Sequence, residues 1–266
     1  MMRALWTAGG GMAAQQFNVD VISNNLANVN TTGYKKERAE FKDLLYETVN
    51  KAYMLNGTGK PVNLQVGHGA AAVATVKNFS SGSLEKTDNA LDFAINGDAF
   101  FMIKGPTGET VFSKDGSFKI GLGDEGNMLT TSDGLQVLDD TGNPIVLNIE
   151  LSKLNVTSSG ELTYIDETGA VASLGQRIGM VKFPNRQGLE AIGSNLFKQN
   201  SASGAPVLDE ELGDRSSLQQ GYLEASNVQV VEEMVKLIVA QRAYEINSKA
   251  IQSADEMLGL ANNLRK

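Results

Sequence analysis

The sequence predicts an α+β fold, in which an antiparallel β-rich middle part is flanked by two long terminal helices that pair as a coiled coil. Two observations lead to this prediction. At both ends of the chain, apolar residues recur at alternating spacings of three and four, the pattern of a helix with one apolar seam. Between the ends, short apolar segments stop at Asn-Gly, Asp-Gly and other glycine-containing turns, which are typical of β-hairpins.

The N-terminal seam runs through the first 29 residues of the chain. Its members, of which Gln15 is polar, are Leu5, Ala8, Met12, Gln15, Val19, Ile22, Leu26 and Val29. Three glycines, Gly9 to Gly11, lie inside this stretch, and each weakens a helix by about 1 kcal/mol relative to alanine. We therefore expect this helix to need a packing partner. Asparagines 24, 25, 28 and 30 either satisfy backbone groups where the chain leaves the helix or serve as ordinary caps and turns.

The middle of the chain, from about residue 66 to 221, is predicted to be β structure. Representative segments are Phe93–Ile95 before Asn96-Gly97, and Phe118–Ile120 after Asp115-Gly116. Asn-Gly and Asp-Gly pairs favour the positive φ angles of tight hairpin turns. Two segments, residues 50–69 and 201–213, carry turn and loop signals and are predicted to be linkers.

The C-terminal helix is predicted from about Val228 to Asn263, a length of about 50 Å. Ser226-Asn227 is the predicted N-cap, and the nearby acids Glu232 and Glu233 suit the helix dipole. The second seam, in which Ser253 is polar, contains Val239, Ala243, Ile246, Ala250, Ser253, Met257, Leu260 and Leu264.

These patterns predict three structural regions. Residues 1–33 with 227–266 form a discontinuous helical coiled-coil domain. Residues 34–70 with 201–226 form a connecting region, and residues 71–200 form a β-rich outer domain. Because the chain leaves one helix and returns to the other, the two ends are expected to be neighbours in space.

Composition excludes several classes of function. The net charge of -8 argues against nucleic-acid binding, which needs a basic face. The absence of cysteine excludes disulfides, thiolate nucleophiles and Cys-based zinc sites. We expect no membrane insertion, because no stretch is long and apolar enough. Residues 4–19 are too polar for a secretory signal peptide, so if the protein leaves the cytoplasm we expect it to use another route.

Motifs that could carry chemistry are weak in this sequence. Gly121 to Gly126 matches G-x-G-x-x-G, but a turn-rich segment follows it where a dinucleotide site needs a helix. His68 is the only histidine, and no G-x-S-x-G supplies a nucleophile. We predict no catalytic, cofactor-binding or metal site. A cell-wall carbohydrate hydrolase on a β scaffold stays open as an alternative, because a carboxylate pair cannot be excluded from sequence.

The two seams point to assembly instead. Helices of about 40 to 50 Å are too long for a β domain of this size to cover, so their apolar faces need other chains. Contacts between different faces of identical subunits generate rings or open helical filaments. The residues predicted to form this assembly interface are Leu5, Ala8, Met12, Val19, Ile22, Leu26, Val29, Val239, Ala243, Ile246, Ala250, Met257, Leu260 and Leu264.

Several segments resemble the flagellar rod and hook family. Ser23 to Lys35 is similar to its N-terminal signature, and the stretches 226–228, 232–235 and 241–250 resemble its C-terminal signature. Residues 94–101, 113–118 and 192–197 resemble its shared β-domain motifs. The residues of the two terminal signatures that we single out are Asn24, Asn25, Leu26, Asn28, Gly33, Tyr34, Gln241, Arg242, Tyr244 and Asn247.

The resemblance implies a structural subunit rather than an enzyme, with no cofactor. Chain length favours a distal rod subunit, which self-assembles into a helical tube and transmits motor torque to the hook. A proximal rod or hook subunit of the same family is the alternative. The implied partners are copies of itself, proximal rod proteins, hook and hook-filament-side axial subunits, P and L ring proteins, the rod cap and the flagellar type III export apparatus. The implied location is the periplasmic part of the flagellar basal body.

Overall fold

A computed structural model describes residues 2–50, 53–55, 58–60, 63–123, 126–147, 149, 153–166, 170–209 and 216–263. The chain forms two compact units. The helical unit contains Met1–Ala27, Glu37–Lys77 and Gln229–Lys266, and the β unit contains Asn28–Lys36 and Asn78–Val228. Of the predicted connecting region, residues 37–70 thus group with the helices and residues 201–226 with the β structure.

The helical unit is built around two long helices, α1 (Met2–Ala27) and α2 (Val230–Asn263). They pack against each other and run antiparallel, because Gly11 lies beside Asn247 while Asn25 bonds to Glu233. The prediction of a long helix at each end, with the two ends adjacent, is confirmed.

The three glycines of α1 allow close packing. The helix continues through them. A Cβ on Gly11 would lie 3.0 Å from Nδ2 of Asn247, and one on Gly10 would lie 3.7 Å from the carbonyl oxygen of Ala70. A larger residue at Gly11 would therefore press on α2. The helix thus loses intrinsic stability at these positions and gains a close approach to its neighbours.

A long two-stranded ribbon completes the helical unit. Its strands pair antiparallel as β1 (Glu37–Asp43) with β6 (Ala70–Lys77), β2 (Tyr46–Asn50) with β5 (Leu64–Gly67), and β3 (Tyr53–Leu55) with β4 (Thr58–Lys60). The prediction that residues 50–69 form a linker is wrong for the described residues, since most of them lie in these strands. The turn signal at Asn56-Gly57 lies outside the described residues.

The β unit holds the remaining strands. They are β7 (Leu84–Lys86), β8 (Phe93–Asn96), β9 (Phe100–Lys104), β10 (Thr110–Ser113), β11 (Lys119–Gly123), β12 (Gly126–Thr130), β13 (Leu154–Val156), β14 (Glu161–Ile165), β15 (Val171–Arg177), β16 (Met180–Lys182), β17 (Glu190–Gly193), β18 (Leu196–Lys198), β19 (Val207–Leu208), β20 (Ser217–Gln220) and β21 (Tyr222–Glu224). The largest sheet of the described part has the order β17-β18-β10-β9-β16-β19. Its strands pair antiparallel, which confirms the predicted antiparallel β-rich middle.

Aromatic side chains fill the core of the β unit. Phe100 and Phe101 are adjacent in β9 and fully buried, and they point to opposite faces of the sheet because strand side chains alternate. Phe100 packs edge-on against Phe183 and Phe197, and Phe101 packs edge-on against Phe118. The G-x-G-x-x-G match falls on the β11–β12 hairpin, as the missing helix context predicted.

Neither described helix combines the length and the apolarity that crossing a membrane requires.

Candidate assembly interface

The packed faces of α1 and α2 combine small, larger apolar and polar side chains. On α1 the buried residues are Ala8, Ala14, Val21, Ile22 and Asn25, and on α2 they are Glu233, Ala240 and Ala254. Leu237, Ile251 and Leu258 of α2 are half-buried. The large residues of the predicted seam of α2 are not among them.

That predicted seam lies on the outer surface of α2. Ile246 directly precedes Asn247, which faces Gly11, and successive helix residues are about 100° apart. The larger seam residues are therefore exposed in the subunit: Val239 63%, Ile246 67%, Met257 50% and Leu260 65%. Ala250 is exposed and Ala243 is half-buried, while Leu264 lies outside the described residues. Val231 and Val235, which are 77% and 56% exposed, extend the same surface toward the start of α2. We call the surface formed by Val231, Val235, Val239, Ile246, Met257 and Leu260 the outer stripe.

The predicted seam residues of α1 are less exposed to solvent than those of α2. Ala8 and Ile22 are buried within the subunit. Leu5, Met12, Val19 and Leu26 are half-buried in α1, and Val29 is half-buried in the segment that belongs to the β unit. Ala8 and Ile22 thus serve the packing of the subunit itself, whereas the half-buried residues keep part of their surface accessible.

Asn25 occupies a buried position at the end of α1. Its Oδ1 accepts a hydrogen bond from the backbone N–H of Glu37 at 2.8 Å, and its Nδ2 donates to the carbonyl oxygen of Glu37 at 2.8 Å. Nδ2 also donates to Oε2 of Glu233 at 3.2 Å, and Lys236 Nζ lies 2.9 Å from Oε1 of the same carboxylate. We call Asn25, Glu37, Glu233 and Lys236 the Asn25 cluster. It joins α1, β1 and α2 within the helical unit.

The residues after α1 are held tightly in the β unit. Gly33 has a φ of +67°, and a Cβ there would lie 2.7 Å from the backbone nitrogen of Asp115. Its N–H donates to the carbonyl oxygen of Glu224 at 2.8 Å, and Tyr34 beside it is buried. Glycine is therefore required at position 33, because a side chain would be strained and would collide with backbone.

Lys35 and Glu224 form a buried ion pair next to this glycine. Lys35 Nζ lies 2.6 Å from Oε1 of Glu224, and each side chain is 1% exposed. Lys35 also donates to the carbonyl oxygen of Ser80, while the same carboxylate oxygen accepts the N–H of Gly82. These hydrogen bonds offset part of the cost of burying two charges.

A second lysine, Lys114, is buried close by in the β unit. Its Nζ donates to the carbonyl oxygen of Gly97 at 2.7 Å and lies 5.2 Å from the ring centroid of Phe100. Burial lowers the pKa of Lys114 from 10.5 to about 8, although the negative charge of Glu224 opposes the change. The positive charge of Lys35 lowers this pKa further.

The predicted N-cap of α2 serves a different purpose. Asn227 lies before the helix, which begins at Val230, and its Oδ1 accepts the N–H of Lys36 at 2.8 Å. Its Nδ2 donates to the carbonyl oxygens of Asn78 and Ser80. The side chain therefore joins segments of the β unit through hydrogen bonds and does not cap α2. The capping role predicted for Asn227 is wrong.

The other residues of the terminal signatures lie mainly at the surface. Asn24, Gln241, Arg242 and Tyr244 are exposed, and Asn28 and Asn247 are half-buried. Sequence reasoning assigned Glu233 only to the helix dipole and gave no role to Glu224, Lys35 or Lys114. The available signal was a polar residue inside a segment that is otherwise apolar or strongly patterned. This signal does not predict burial, because the burial of these four side chains depends on partners that are distant in the sequence.

The ribbon carries a second set of exposed apolar side chains. Leu45 is 86% exposed, Tyr46 57%, Val49 54% and Leu64 53%. These residues lie along β2, β5 and the residues before them. A two-stranded ribbon is marginally stable in water, and its outer edges offer unpaired backbone groups.

In the described part of the chain, no cluster of three or more His, Asp or Glu side chains has the arrangement of a metal site.

Comparison with known families identifies three matching regions. Residues 5–35 match the model described as flagella basal body rod protein, and residues 94–164 match the flagellar hook protein FlgE/F/G D1 domain. Residues 219–264 match the flagellar basal body rod FlgEFG protein C-terminal model. The first match contains α1 from residue 5 onward and the last contains all of α2, including the Asn25 cluster residues Asn25 and Glu233.

Individual proteins are similar over the full length. The flagellar basal-body rod protein FlgG of Borreliella burgdorferi is 49% identical, with 100% of both chains covered. FlgG of Caulobacter vibrioides is 43% identical over 99% of this chain and 100% of its own. FlgG of Bacillus subtilis is 36% identical, again over 100% of both chains.

Proposed function

We propose that this protein forms the rod by self-assembly through the outer stripe of α2 and the ribbon. The chain belongs to the FlgG family of flagellar basal-body rod proteins, and it is a structural subunit of the distal rod rather than an enzyme. In this proposal, copies of the subunit build a helical tube whose terminal helices pack as coiled coils around a channel. The tube transmits motor torque to the hook. The assembly-interface residues predicted from the sequence are part of this proposal.

The exposed outer stripe of α2 is the observation that carries the proposal. Its residues extend from Val231 to Leu260, a length of about 43 Å along the helix. Apolar surface of this extent is unfavourable in water and is typical of an interaction site. Two ion pairs, Lys236 with Glu232 and Arg242 with Glu245, lie on the same helix.

The ribbon supports the same conclusion from a separate surface. Leu45 is the most exposed of its apolar residues at 86%, and packing against another copy would remove it from water. Such packing would also stabilise strands that have no third strand beside them among the described residues. The ribbon takes the place of the predicted linker, and in this proposal it contacts other copies along the rod.

The two surfaces differ from each other, and in this proposal each contact joins different surfaces of neighbouring copies. When a surface of one copy binds a different surface of the next, the contact is heterologous and repeats without closing, or closes into a ring. A rod requires the open helical form. The domains predicted from the sequence, with helices at 1–33 and 227–266 and an outer domain at 71–200, correspond in the proposal to an inner tube and an outer layer.

The proposed partners follow from a place in the distal rod. They are proximal rod proteins on one side, hook and other axial subunits on the other, the P and L rings around the rod, the rod cap and the type III export apparatus. The proposed location is periplasmic, after export without a cleaved signal peptide. Residues 4–19 lie in α1, where Ala8 and Ala14 pack in the subunit, and this supports retention of the segment.

A charge placed on the outer stripe tests the proposal. The host is a flagellated cell that lacks its own distal rod subunit and regains swimming with the parent chain. We expect Ile246→Glu to abolish swimming and to reduce the rods visible by electron microscopy at least tenfold. Gln252→Glu is the matched control, because Gln252 is exposed on α2 away from the stripe. Normal rods with Ile246→Glu would refute the proposal, provided that circular dichroism shows both variants folded.

A further inference from the structure

We infer that Asn227 is a positioning residue that fixes the segment leading into α2 beside the two residues that flank the ribbon, Lys36 and Asn78. The inference goes beyond the proposed function, because it concerns how the subunit holds its own segments and not how copies contact each other. The hydrogen bonds that carry it lie within the β unit and involve no residue of α1 or α2.

The chain passes between the two units at four points, and three of them are brought together here. Lys36 is the last residue of the β unit before β1, Asn78 is its first residue after β6, and Val228 is its last residue before the segment of α2. The first two are joined directly, since the N–H of Asn78 donates to the carbonyl oxygen of Lys36 at 2.9 Å. The third needs a connection of its own.

The amide of Asn227 supplies this connection with both of its ends. Its Oδ1 accepts the N–H of Lys36 at 2.8 Å, and its Nδ2 donates to the carbonyl oxygens of Asn78 at 2.8 Å and Ser80 at 3.1 Å. The hydroxyl oxygen of Ser80 lies 3.2 Å from the same nitrogen. A side-chain amide can bridge in this way because it carries an acceptor and two donor hydrogens side by side. One side chain thus bonds to both of the other segments.

The other hydrogen bonds that hold this segment lie further from α2. The N–H of Ala225 donates to the carbonyl oxygen of Ser83 at 2.8 Å, and Glu224 before it belongs to the buried ion pair described above. Val228 is buried and adds apolar packing, which is less directional than a hydrogen bond. Without the Asn227 amide, the residues from 226 onward can open as a frayed end, and the bond of Ala225 is the next to open.

The position of Asn227 is important because α2 begins only three residues later, at Val230. The bonds fix the place at which the chain leaves the β unit, and they do so without any contact from α2 itself. A shift of this place would move the start of α2. A fixed place is therefore a condition for every copy to present the same contacts.

Amide hydrogen exchange of the unpolymerised full chain, followed by NMR for individual residues, tests the inference. The amide of Ala225 is the main reporter, because Asn227→Ala leaves its acceptor on Ser83 unchanged. We expect Asn227→Ala to speed exchange at Ala225 and at Lys36 by about fivefold or more, since opening of the segment no longer requires the amide bonds to break.

The urea dependence of exchange separates local opening from unfolding of the whole β unit. Local opening exposes little surface, so the rate at Ala225 in Asn227→Ala should hardly change with urea below the unfolding transition. The amide of Val137 is fully buried and donates to the carbonyl oxygen of Leu129 at 2.9 Å. It should show the steep urea dependence of global unfolding.

Asn89→Ala is the matched control variant. Asn89 is an exposed asparagine of the β unit whose side-chain hydrogen bonds stay within its own turn, residues 89–92. Its removal should leave the rate at Ala225 within about twofold of the parent rate.

The inference is refuted if Ala225 keeps its parent rate in Asn227→Ala, because the segment is then held without the amide. It is refuted equally if the rate at Ala225 rises with urea as steeply as the rate at Val137, or if Asn89→Ala speeds it as much. Asn227 would then support the β unit as a whole. Because the measurement needs neither a polymer nor a packed helix pair, its result does not depend on the swimming test of the proposed function.

Discussion

The side-chain amide of Asn25 pairs with the peptide of Glu37 through two hydrogen bonds of 2.8 Å, much as a neighbouring strand would. The backbone of Glu37 is thereby satisfied at the point where β1 begins. An asparagine amide can do this because it offers a donor and an acceptor side by side. The polar run at the end of α1 therefore contributes a buried structural residue, Asn25, as well as residues at the surface.

Replacement of this amide should destabilise the helical unit. Asn25→Ala removes three hydrogen bonds and leaves a buried carboxylate at Glu233 with one partner fewer, so we expect a loss of about 2–4 kcal/mol. Urea denaturation followed by helix circular dichroism measures the change. Asn24→Ala, at an exposed position, should change the free energy of unfolding by about 0.5 kcal/mol or less. Equal losses in the two variants would contradict the role assigned to Asn25.

Two glycines with positive φ should respond differently to a methyl group. Gly33→Ala should cost about 3 kcal/mol or more, because it combines backbone strain with a collision against Asp115. Gly134→Ala has a comparable φ of +81°, but no atom lies within 4 Å of the added Cβ. It should cost only about 1 kcal/mol, the strain alone. Thermal unfolding of the β unit distinguishes the two, and similar melting temperatures would show that the contact with Asp115 is unimportant.

The buried ion pair of Lys35 and Glu224 should behave non-additively. Lys35→Met leaves a buried carboxylate without its cation, and we expect a loss of about 3–5 kcal/mol. Adding Glu224→Leu to it removes the stranded charge and should recover most of that loss. A double-mutant cycle from denaturant unfolding provides the coupling energy. If the double variant is as unstable as the sum of the single ones, the pair is not coupled.

Lys114 should make the β unit more stable as the pH rises. Its pKa is about 8 in the folded chain, compared with 10.5 without burial, so the unfolded chain binds more protons between these values. Burial of the charged Lys114 ammonium lowers the free energy of unfolding by about 3 kcal/mol. This loss disappears as the pH rises from 8 to 10.5 and Lys114 becomes neutral in the folded chain. The difference in unfolding free energy between the parent and Lys114→Met isolates the effect. A difference that is constant across this range would contradict the assignment.

The glycines of α1 provide a test of helix packing. At Gly9 no atom lies within 4 Å of an added Cβ, so Gly9→Ala should stabilise α1 by up to about 1 kcal/mol. At Gly11 the Cβ would press on Asn247 at 3.0 Å, so Gly11→Ala should lose part or all of that gain. Helix circular dichroism during urea titration gives both values. A larger gain at Gly11 than at Gly9 would show that the helices do not approach closely there.

The resemblance in the terminal signatures and the pattern of the β segments were sufficient to predict the family and the α+β architecture. The predicted linker at 50–69 failed because the described residues of β2 and β5 are exposed or half-buried, so these strands carry little of the buried apolar pattern that predicts a strand. The larger seam residues of α2 are exposed, and their part in an assembly interface stays a prediction. The sequence did not predict which face of α2 packs within the subunit, because the buried residues Glu233, Ala240 and Ala254 do not form a run of large apolar side chains.

By itself the sequence determined the two helices, the antiparallel middle and the family, because these depend on local periodicity, turn residues and extended motifs. Only the tertiary structure decided which helix face is packed and which polar groups are buried. Asn25 and Glu233 are 208 residues apart in the chain, and Lys35 and Glu224 are 189 apart. No local pattern specifies such pairs, since burial of a polar side chain is favourable only when folding brings a distant partner to it.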